Sequence, residues 1–216
     1  MKKLKNRVAV VGISDTKAAR RREDATFFQM AYDAARQAVN DAGVTKDDIK
    51  YCFFSTACEN FNRQPLMGCY ISEALGWSQK PLIEFTNAGG ASGGALSAAY
   101  NYVASGETDL ILCVGGDKIS DADVPKLNGF QNMIVYGNDS IFETPYGAAL
   151  GQFAMFCQAY KSIYNITEEQ AAKVSVKNHG NALLNPNAQS PMKITVEPLR
   201  WRRSAFPNLP CRQSTP

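Results

Sequence analysis

The stretch that decides the fold is Thr86–Gly106, TNAGGASGGALSAAYNYVASG. Small residues surround its first turn: Gly89, Gly90, Gly93, Gly94, Ala91, Ala95, Ala98 and Ala99. The short apolar run Leu82–Thr86 predicts a strand that leads directly into a helix, and the small side chains predict a helix packed closely on all sides. Backbone amides at a helix start lack partners inside the helix, so Gly89–Ser92 form a candidate site for an anion.

Strands and helices alternate on both sides of this stretch. Arg7–Ile13 is a nearly continuous β-branched run, which predicts a strand buried on both faces of a parallel sheet. Further strands are predicted at Tyr51–Ser55 and Asp109–Val114, and helices at Phe27–Ala42, ended by Gly43, and at Pro65–Leu75. Such an alternation predicts an α/β fold with a mostly parallel sheet and helices on both faces.

The alternation stops after Asp117. Lys118–Tyr146 is a long polar segment without periodicity, and we expect it to cover a site or an interface. Helices are predicted again from Gly147 to Tyr164 and from Thr167 to about Asn185. Thr167 and Gln170 have the spacing of a capping box, in which each side chain bonds the other residue's amide.

Residues 197–216 differ from the rest of the chain. They read EPLRWRRSAFPNLPCRQSTP and show neither strand nor helix periodicity. We expected a further apolar strand here, so the predicted domain, residues 1–196, is interpreted as incomplete. Residues 197–216 are explained either by truncation or an altered reading frame, or by a disordered native tail.

Composition excludes several classes of function. Hydrophobic residues make up 45% and charged residues 20% of the chain, and the net charge of +3 is too small to indicate nucleic-acid binding. No apolar run approaches the roughly 20 residues that span a bilayer. The six cysteines show no zinc-site spacing, and the single histidine, His179, excludes a multi-histidine metal site. We predict a cytoplasmic protein with reduced cysteines and no bound cofactor.

Four segments carry a family resemblance. They are Ala34–Ile49, Ala91-Ser92-Gly93 with Ala95-Leu96, Ala104–Lys118, and Val176–Gln189 with its KNHGNALLNPNAQ run. In this order they resemble the thiolase superfamily, especially its sterol-carrier-protein-x and archaeal branch, over residues 7 to about 196. The resemblance implies one half of a thiolase-type αβα layered enzyme, apparently without its last strand. It also places the general acid and base in a second half that this chain lacks.

Gly90 departs from the family pattern. Thiolases carry a nucleophilic cysteine directly before Ala-Ser-Gly, and here that position is Gly90. The resemblance implies a coenzyme A thioester as substrate and leaves three interpretations. The first is a retro-aldol enzyme, because similar cysteine-less relatives are aldolases that pair with a zinc-ribbon/OB-fold subunit. The second is an acyltransferase of the thiolase type, and the third is a non-catalytic scaffold subunit.

The resemblance also implies a homodimer in which the strand Leu82–Thr86 lies at the interface. Gly89, Gly90, Ala91 and Ser92 are then the predicted substrate-binding residues, joined by Tyr146 and His179. Tyr146 and Tyr136 are candidate acids or packing residues. His179 has a structural hydrogen-bonding role as its alternative. Cys58 and Cys69 are weak substitutes for the missing thiol, since neither follows a glycine-rich turn between a strand and a helix.

Overall fold

Three parallel strands form the sheet of the protein. The computed structural model describes residues 8–62, 64–121 and 148–196. Strand β1 (Tyr51–Thr56) lies between β2 (Leu82–Thr86) and β3 (Ile111–Gly115). Phe54 of β1 pairs with Glu84 on one side and Val114 on the other. The predicted α/β fold with a parallel sheet is confirmed.

Helices cover both faces of this sheet. Helix α1 spans Phe27–Ala42, α2 spans Met67–Ala74 and α3 spans Ala91–Ser105. On one face, α1 and α2 bury an apolar cluster that includes Phe27, Ala31, Ala35, Cys52, Phe54, Met67, Ile71, Leu112 and Val114. On the other face, Phe53 contacts Phe85 of β2 and Tyr102 of α3, with ring centroids 5.3 and 5.2 Å apart. Three layers result, as in the predicted αβα arrangement.

Local signals fix the ends of these helices. Thr26 accepts a hydrogen bond from the Gln29 amide at the start of α1, and Gly43 ends the helix in the left-handed conformation, φ 65°. Helix α2 begins against a carboxylate of β2, because the Gly68 amide donates to Glu84 Oε2 at 2.7 Å. An anion at this position also complements the positive end of the helix dipole.

The chain divides into two compact units. Residues 1–16 and 20–149 form the first, which holds the sheet, and residues 17–19 and 150–216 form the second. Helix α4 spans Ala148–Tyr164 and α5 spans Glu168–Ala182. The capping box at the start of α5 is confirmed: Thr167 Oγ1 accepts from the Gln170 amide, and Gln170 Oε1 accepts from the Thr167 amide.

The predicted strand Arg7–Ile13 is wrong for the residues that the structure describes. Residues 8–13 belong to no sheet, and Val10 and Ile13 are 78% and 73% exposed. The segment lies along α1, where the Ile13 amide donates to Asp41 Oδ2 at 2.9 Å and Gly12 packs against the helix backbone. A β-branched run forms a strand only beside another strand, and the described residues place none on the outer edge of β3.

The prediction that the glycine-rich helix packs closely on all sides is also wrong. Only Ala91 and Ala95 of α3 are buried, and Leu96 is 58% exposed. Helix α3 meets the sheet along one narrow side, where small residues allow a close approach. The part of the predicted covering segment beyond residue 121, with Tyr136 and Tyr146, and the tail 197–216 lie outside the described residues.

Candidate functional site

The glycine-rich turn lies where the parallel strands end. A short 3₁₀ turn, Ala88–Gly90, follows β2 and leads into α3. Ala88 has φ 43°, in the left-handed region that residues with a side chain rarely adopt. Its amide donates to the Ala57 carbonyl just beyond β1, at 3.1 Å. The turn is thereby anchored to the central strand of the sheet.

Gly90 does not need to be glycine for conformational reasons. Its backbone lies at φ −92° and ψ −5°, which any residue adopts. Among the described residues, a Cβ atom at Gly90 would meet only the Asn87 side chain, 3.2 Å away at its amide nitrogen, and one at Gly89 would meet none of them within 4 Å. The turn therefore has room for a cysteine side chain. What the site lacks is the nucleophilic atom, while the backbone that would carry it is present.

A serine pair lies beside the turn. Ser55 Oγ and Ser92 Oγ share a hydrogen bond of 3.1 Å, which joins β1 to the first turn of α3. Ser55 is 3% exposed. Gly115 of β3 faces this pair so closely that an added Cβ would overlap Ser55 Oγ. Glycine is required at residue 115 by this close approach.

A hydrogen-bond network around Asp117 lies at the same edge of the sheet, and the sequence analysis did not predict a functional role for it. Asp117 accepts hydrogen bonds from Thr56 Oγ1 at 2.5 Å, from the Ala57 amide at 3.0 Å and from Asn62 Nδ2 at 3.0 Å. The Lys118 amide in turn donates to Asn62 Oδ1 at 2.7 Å. The available signal was a carboxylate two residues after the end of a strand, the position at which parallel strands present functional groups.

Four of the predicted site residues lie together at the glycine-rich turn. Gly89, Gly90, Ala91 and Ser92 share the turn and the first turn of α3. His179 belongs to the second unit, where its Nδ1 lies 2.8 Å from the Ser190 carbonyl oxygen, and this contact supports its structural alternative. Tyr146 lies outside the described residues.

The structure contains no metal-type cluster in the part of the chain that it describes, where no three histidine, cysteine or acidic side chains lie together. None of the helices described here has both the length and the apolar character that crossing a membrane requires.

Comparison with known proteins identifies the family. Residues 8–203 match the thiolase N-terminal domain family, so the chain belongs to the thiolase family, as the sequence predicted. It is 33% identical over 192 residues to an acetyl-CoA acetyltransferase of Methanothermobacter thermautotrophicus, covering 88% of this chain and 49% of the relative. Identity to the acetyl-CoA acetyltransferase of Methanocaldococcus jannaschii is 30% over 192 residues, covering 88% and 47%.

A third relative and a solved structure agree with this assignment. The benzoylsuccinyl-CoA thiolase subunit BbsB of Thauera aromatica is 27% identical over 197 residues, covering 90% of this chain and 48% of the relative. The Ltp2-ChsH2(DUF35) aldolase superimposes with a TM-score of 0.62 at 22% identity, covering 88% of this chain and 47% of the other, which confirms the fold. The chain thus spans about half the length of the curated relatives it matches.

Proposed function

We propose that this chain forms one half of an acyl-CoA enzyme that breaks, or in reverse makes, a carbon–carbon bond next to the thioester by retro-aldol chemistry. Gly90 supports this proposal. The glycine-rich turn that holds the nucleophile in thiolases is formed in this chain, but it has no thiol. A 3-ketoacyl-CoA thiolase needs that thiol to accept the acyl group. A retro-aldol enzyme does not, because no acyl-enzyme forms.

The balanced step needs a base and an oxyanion site. A base takes the proton of the 3-hydroxyl group, and the oxygen electrons form a carbonyl as the bond between carbons 2 and 3 breaks. The electron pair of that bond passes to carbon 2 and the thioester carbonyl, giving an enolate that is then protonated to the shorter acyl-CoA. The enolate oxygen needs hydrogen-bond donors, and one such donor contributes about 2.7–4 kcal/mol in related sites. We expect the base to come from outside the described residues.

The start of α3 suits this role. No side chain among the described residues caps the helix, whose N-cap is Gly90 itself. The Gly90 and Ala91 amides donate to the Asn87 and Ala88 carbonyls within the 3₁₀ turn. The amides that follow have no side-chain cap among the described residues and carry the positive end of the helix dipole. We propose that Gly89, Gly90, Ala91 and Ser92 bind the thioester carbonyl, with the segment 118–146 and its Tyr146 over it. His179 hydrogen-bonds to the Ser190 carbonyl within its own unit, which supports a structural role for it.

An acyltransferase is the second candidate. Two relatives with about half of their length matched are named acetyl-CoA acetyltransferases. The absence of a thiol at Gly90 argues against this activity. Cys58 does not replace it, because Cys58 follows β1 by two residues and does not lie on the glycine-rich turn. A non-catalytic scaffold subunit is the third candidate, and it predicts no binding of acyl-CoA at Gly90.

Intact-mass spectrometry separates the acyltransferase from the other two candidates, and a binding measurement then separates the retro-aldol enzyme from the scaffold subunit. After incubation with a 3-ketoacyl-CoA we expect no acyl group on the protein, and a stable adduct on any cysteine would establish the acyltransferase instead. Gly90→Val should abolish binding of a 3-hydroxyacyl-CoA, measured by calorimetry, because the side chain would fill the turn. Gly180→Val is the control, because Gly180 lies within α5 of the second unit and an added Cβ there would meet none of the described residues within 4 Å. Equal binding by both variants and the unmodified protein would contradict the proposal that the thioester binds at the glycine-rich turn.

The assembly is a separate proposal. Strand β2 pairs only with β1 among the described residues, so its outer edge is open. An open edge presents unpaired backbone groups that a second copy can satisfy. We propose a homodimer through this edge and, for the whole enzyme, a zinc-ribbon/OB-fold partner subunit in the cytoplasm. Sedimentation at micromolar concentration should show a dimer, and a clean monomer would contradict the homodimer.

A further inference from the structure

We propose that Asp117 is a positioning residue that sets the conformation of the glycine-rich turn by holding the backbone of Ala57. The inference rests on the proposed function, in which this turn receives the thioester oxygen. Asp117 itself does not touch the substrate in this proposal. It acts through two successive hydrogen bonds, one that its carboxylate accepts from the Ala57 amide and one that the Ala57 carbonyl accepts from the Ala88 amide.

The first bond fixes Ala57. The Asp117 carboxylate accepts from the Ala57 amide at 3.0 Å and from the hydroxyl of the preceding Thr56 at 2.5 Å. Thr56 is 1% exposed, so water does not compete freely for its hydroxyl group. Hydrogen bonds to an ionised acceptor are roughly twice as strong as neutral ones. Together they hold the peptide group between Thr56 and Ala57.

The second bond passes this constraint to the turn. The Ala57 carbonyl accepts from the Ala88 amide at 3.1 Å. Ala88 stands at φ 43°, and the left-handed conformation costs a non-glycine residue about 1–2 kcal/mol. Such a conformation persists only where its surroundings hold it. Because Ala88 begins the turn that ends at Gly90, its conformation sets where the following amides point.

The network can be tested by exchanging the side chains of Asp117 and Asn62. Asn62 donates to Asp117 through Nδ2 and accepts from the Lys118 amide through Oδ1. In Asp117→Asn, the new amide group must face either the Ala57 N–H or the Asn62 Nδ2, and in both cases two donors oppose each other. Adding Asn62→Asp removes this conflict, since the carboxylate introduced there would accept both from the new side-chain amide and from the Lys118 backbone amide. The double variant also restores the original net charge.

The experiment measures hydrogen exchange at single amides in the purified chain. Asp117→Asn should speed exchange of the Ala88 amide by about tenfold, while the amide of Phe54 in the centre of β1 keeps its rate. The double variant with Asn62→Asp should restore slow exchange. Asp47→Asn is the control, because it removes an exposed carboxylate that precedes β1 at the opposite end of the sheet. An unchanged Ala88 rate, equal acceleration at Phe54, or no recovery in the double variant would overturn the inference.

A second readout connects this result to the anion site. In Gly90→Cys, a well-ordered helix start should hold the thiol pKa below the ordinary value of about 8.5. Removing the negative charge of Asp117 would by itself lower that pKa further. Disordering of the turn predicts the opposite, a rise of about one unit toward the ordinary value. A fall of the pKa in Asp117→Asn would therefore contradict positioning. An ordinary thiol pKa in Gly90→Cys alone would refute the thioester site, while the exchange of Ala88 still decides the role of Asp117.

Discussion

Gly115→Ala tests the closest approach between the sheet and the glycine-rich helix. The new Cβ would overlap Ser55 Oγ and lie 3.3 Å from both the Ser55 carbonyl oxygen and Ser92 Oγ. The Ser55 hydroxyl group must rotate away, which breaks its 3.1 Å hydrogen bond to Ser92. The overlap is expected to cost about 1–3 kcal/mol and the lost bond about 1 kcal/mol. The entropy that alanine removes from the unfolded chain offsets about 0.4–1 kcal/mol of this cost.

The net prediction is a loss of about 2 kcal/mol in the free energy of unfolding. Ser55→Ala alone should cost about 1 kcal/mol, because it removes the hydroxyl group and its bond. In the double variant the overlap has disappeared and the bond is lost only once, so after the entropic offset the loss should be about 0.5 kcal/mol instead of the additive value of about 3 kcal/mol. The coupling between the two changes is the quantity that the structure predicts.

Urea denaturation followed by the fluorescence of Trp77 measures these values. Trp77 is 2% exposed and belongs to the unit that holds the sheet, so its emission reports on this unit. Trp201→Phe should serve as the background in all variants, to remove the second tryptophan. Additive losses in the double variant would show that Ser55 and Gly115 do not compete for the same space. The close packing described at the site would then be wrong.

Three further predictions concern the rest of the chain. Gly68→Ala should lower the free energy of unfolding in urea by about 1–2 kcal/mol, because the new Cβ would lie 2.7 Å from Glu84 Oε2, which binds the Gly68 amide. Gly93→Ala should instead stabilise α3 by up to about 1 kcal/mol, because its Cβ would meet none of the described residues within 4 Å. Burial raises the pKa of Cys52 to about 12, so at pH 8 alkylation followed by peptide mapping should leave Cys52 unmodified while the exposed Cys69 reacts. Because the folded pKa lies above the unfolded value of about 8.5, this thiol's contribution to stability is complete below that pH and declines above it. Thr167→Ala should cost about 1 kcal/mol by circular dichroism melting, since it removes the capping box of α5, and an unchanged melting temperature would contradict that role.

Elements whose signals are local were predictable from the sequence. The periodicity of Phe27–Ala42 and the glycine that ends it gave α1 with its observed bounds, and Leu82–Thr86 gave β2. The capping box at Thr167 needs only residues three positions apart, and it is present as predicted. The missing thiol at Gly90 is likewise visible from one residue and its neighbours. In each case the interacting groups lie within one turn or one strand.

Only the tertiary structure decided which distant groups meet. Whether Arg7–Ile13 becomes a strand depends on a neighbouring strand, which its own β-branched residues cannot specify. Asp117 bonds Thr56 across 61 positions of sequence, and Ser55 bonds Ser92 across 37. The first contact follows from the parallel register that places the ends of β1 and β3 side by side, and the second from β2, which pairs with β1 and leads into α3. The sequence by itself determined the elements and the absent nucleophile, because both are local properties. The network around the glycine-rich turn was decided by the folded sheet, because it joins residues that meet only once the strands pair.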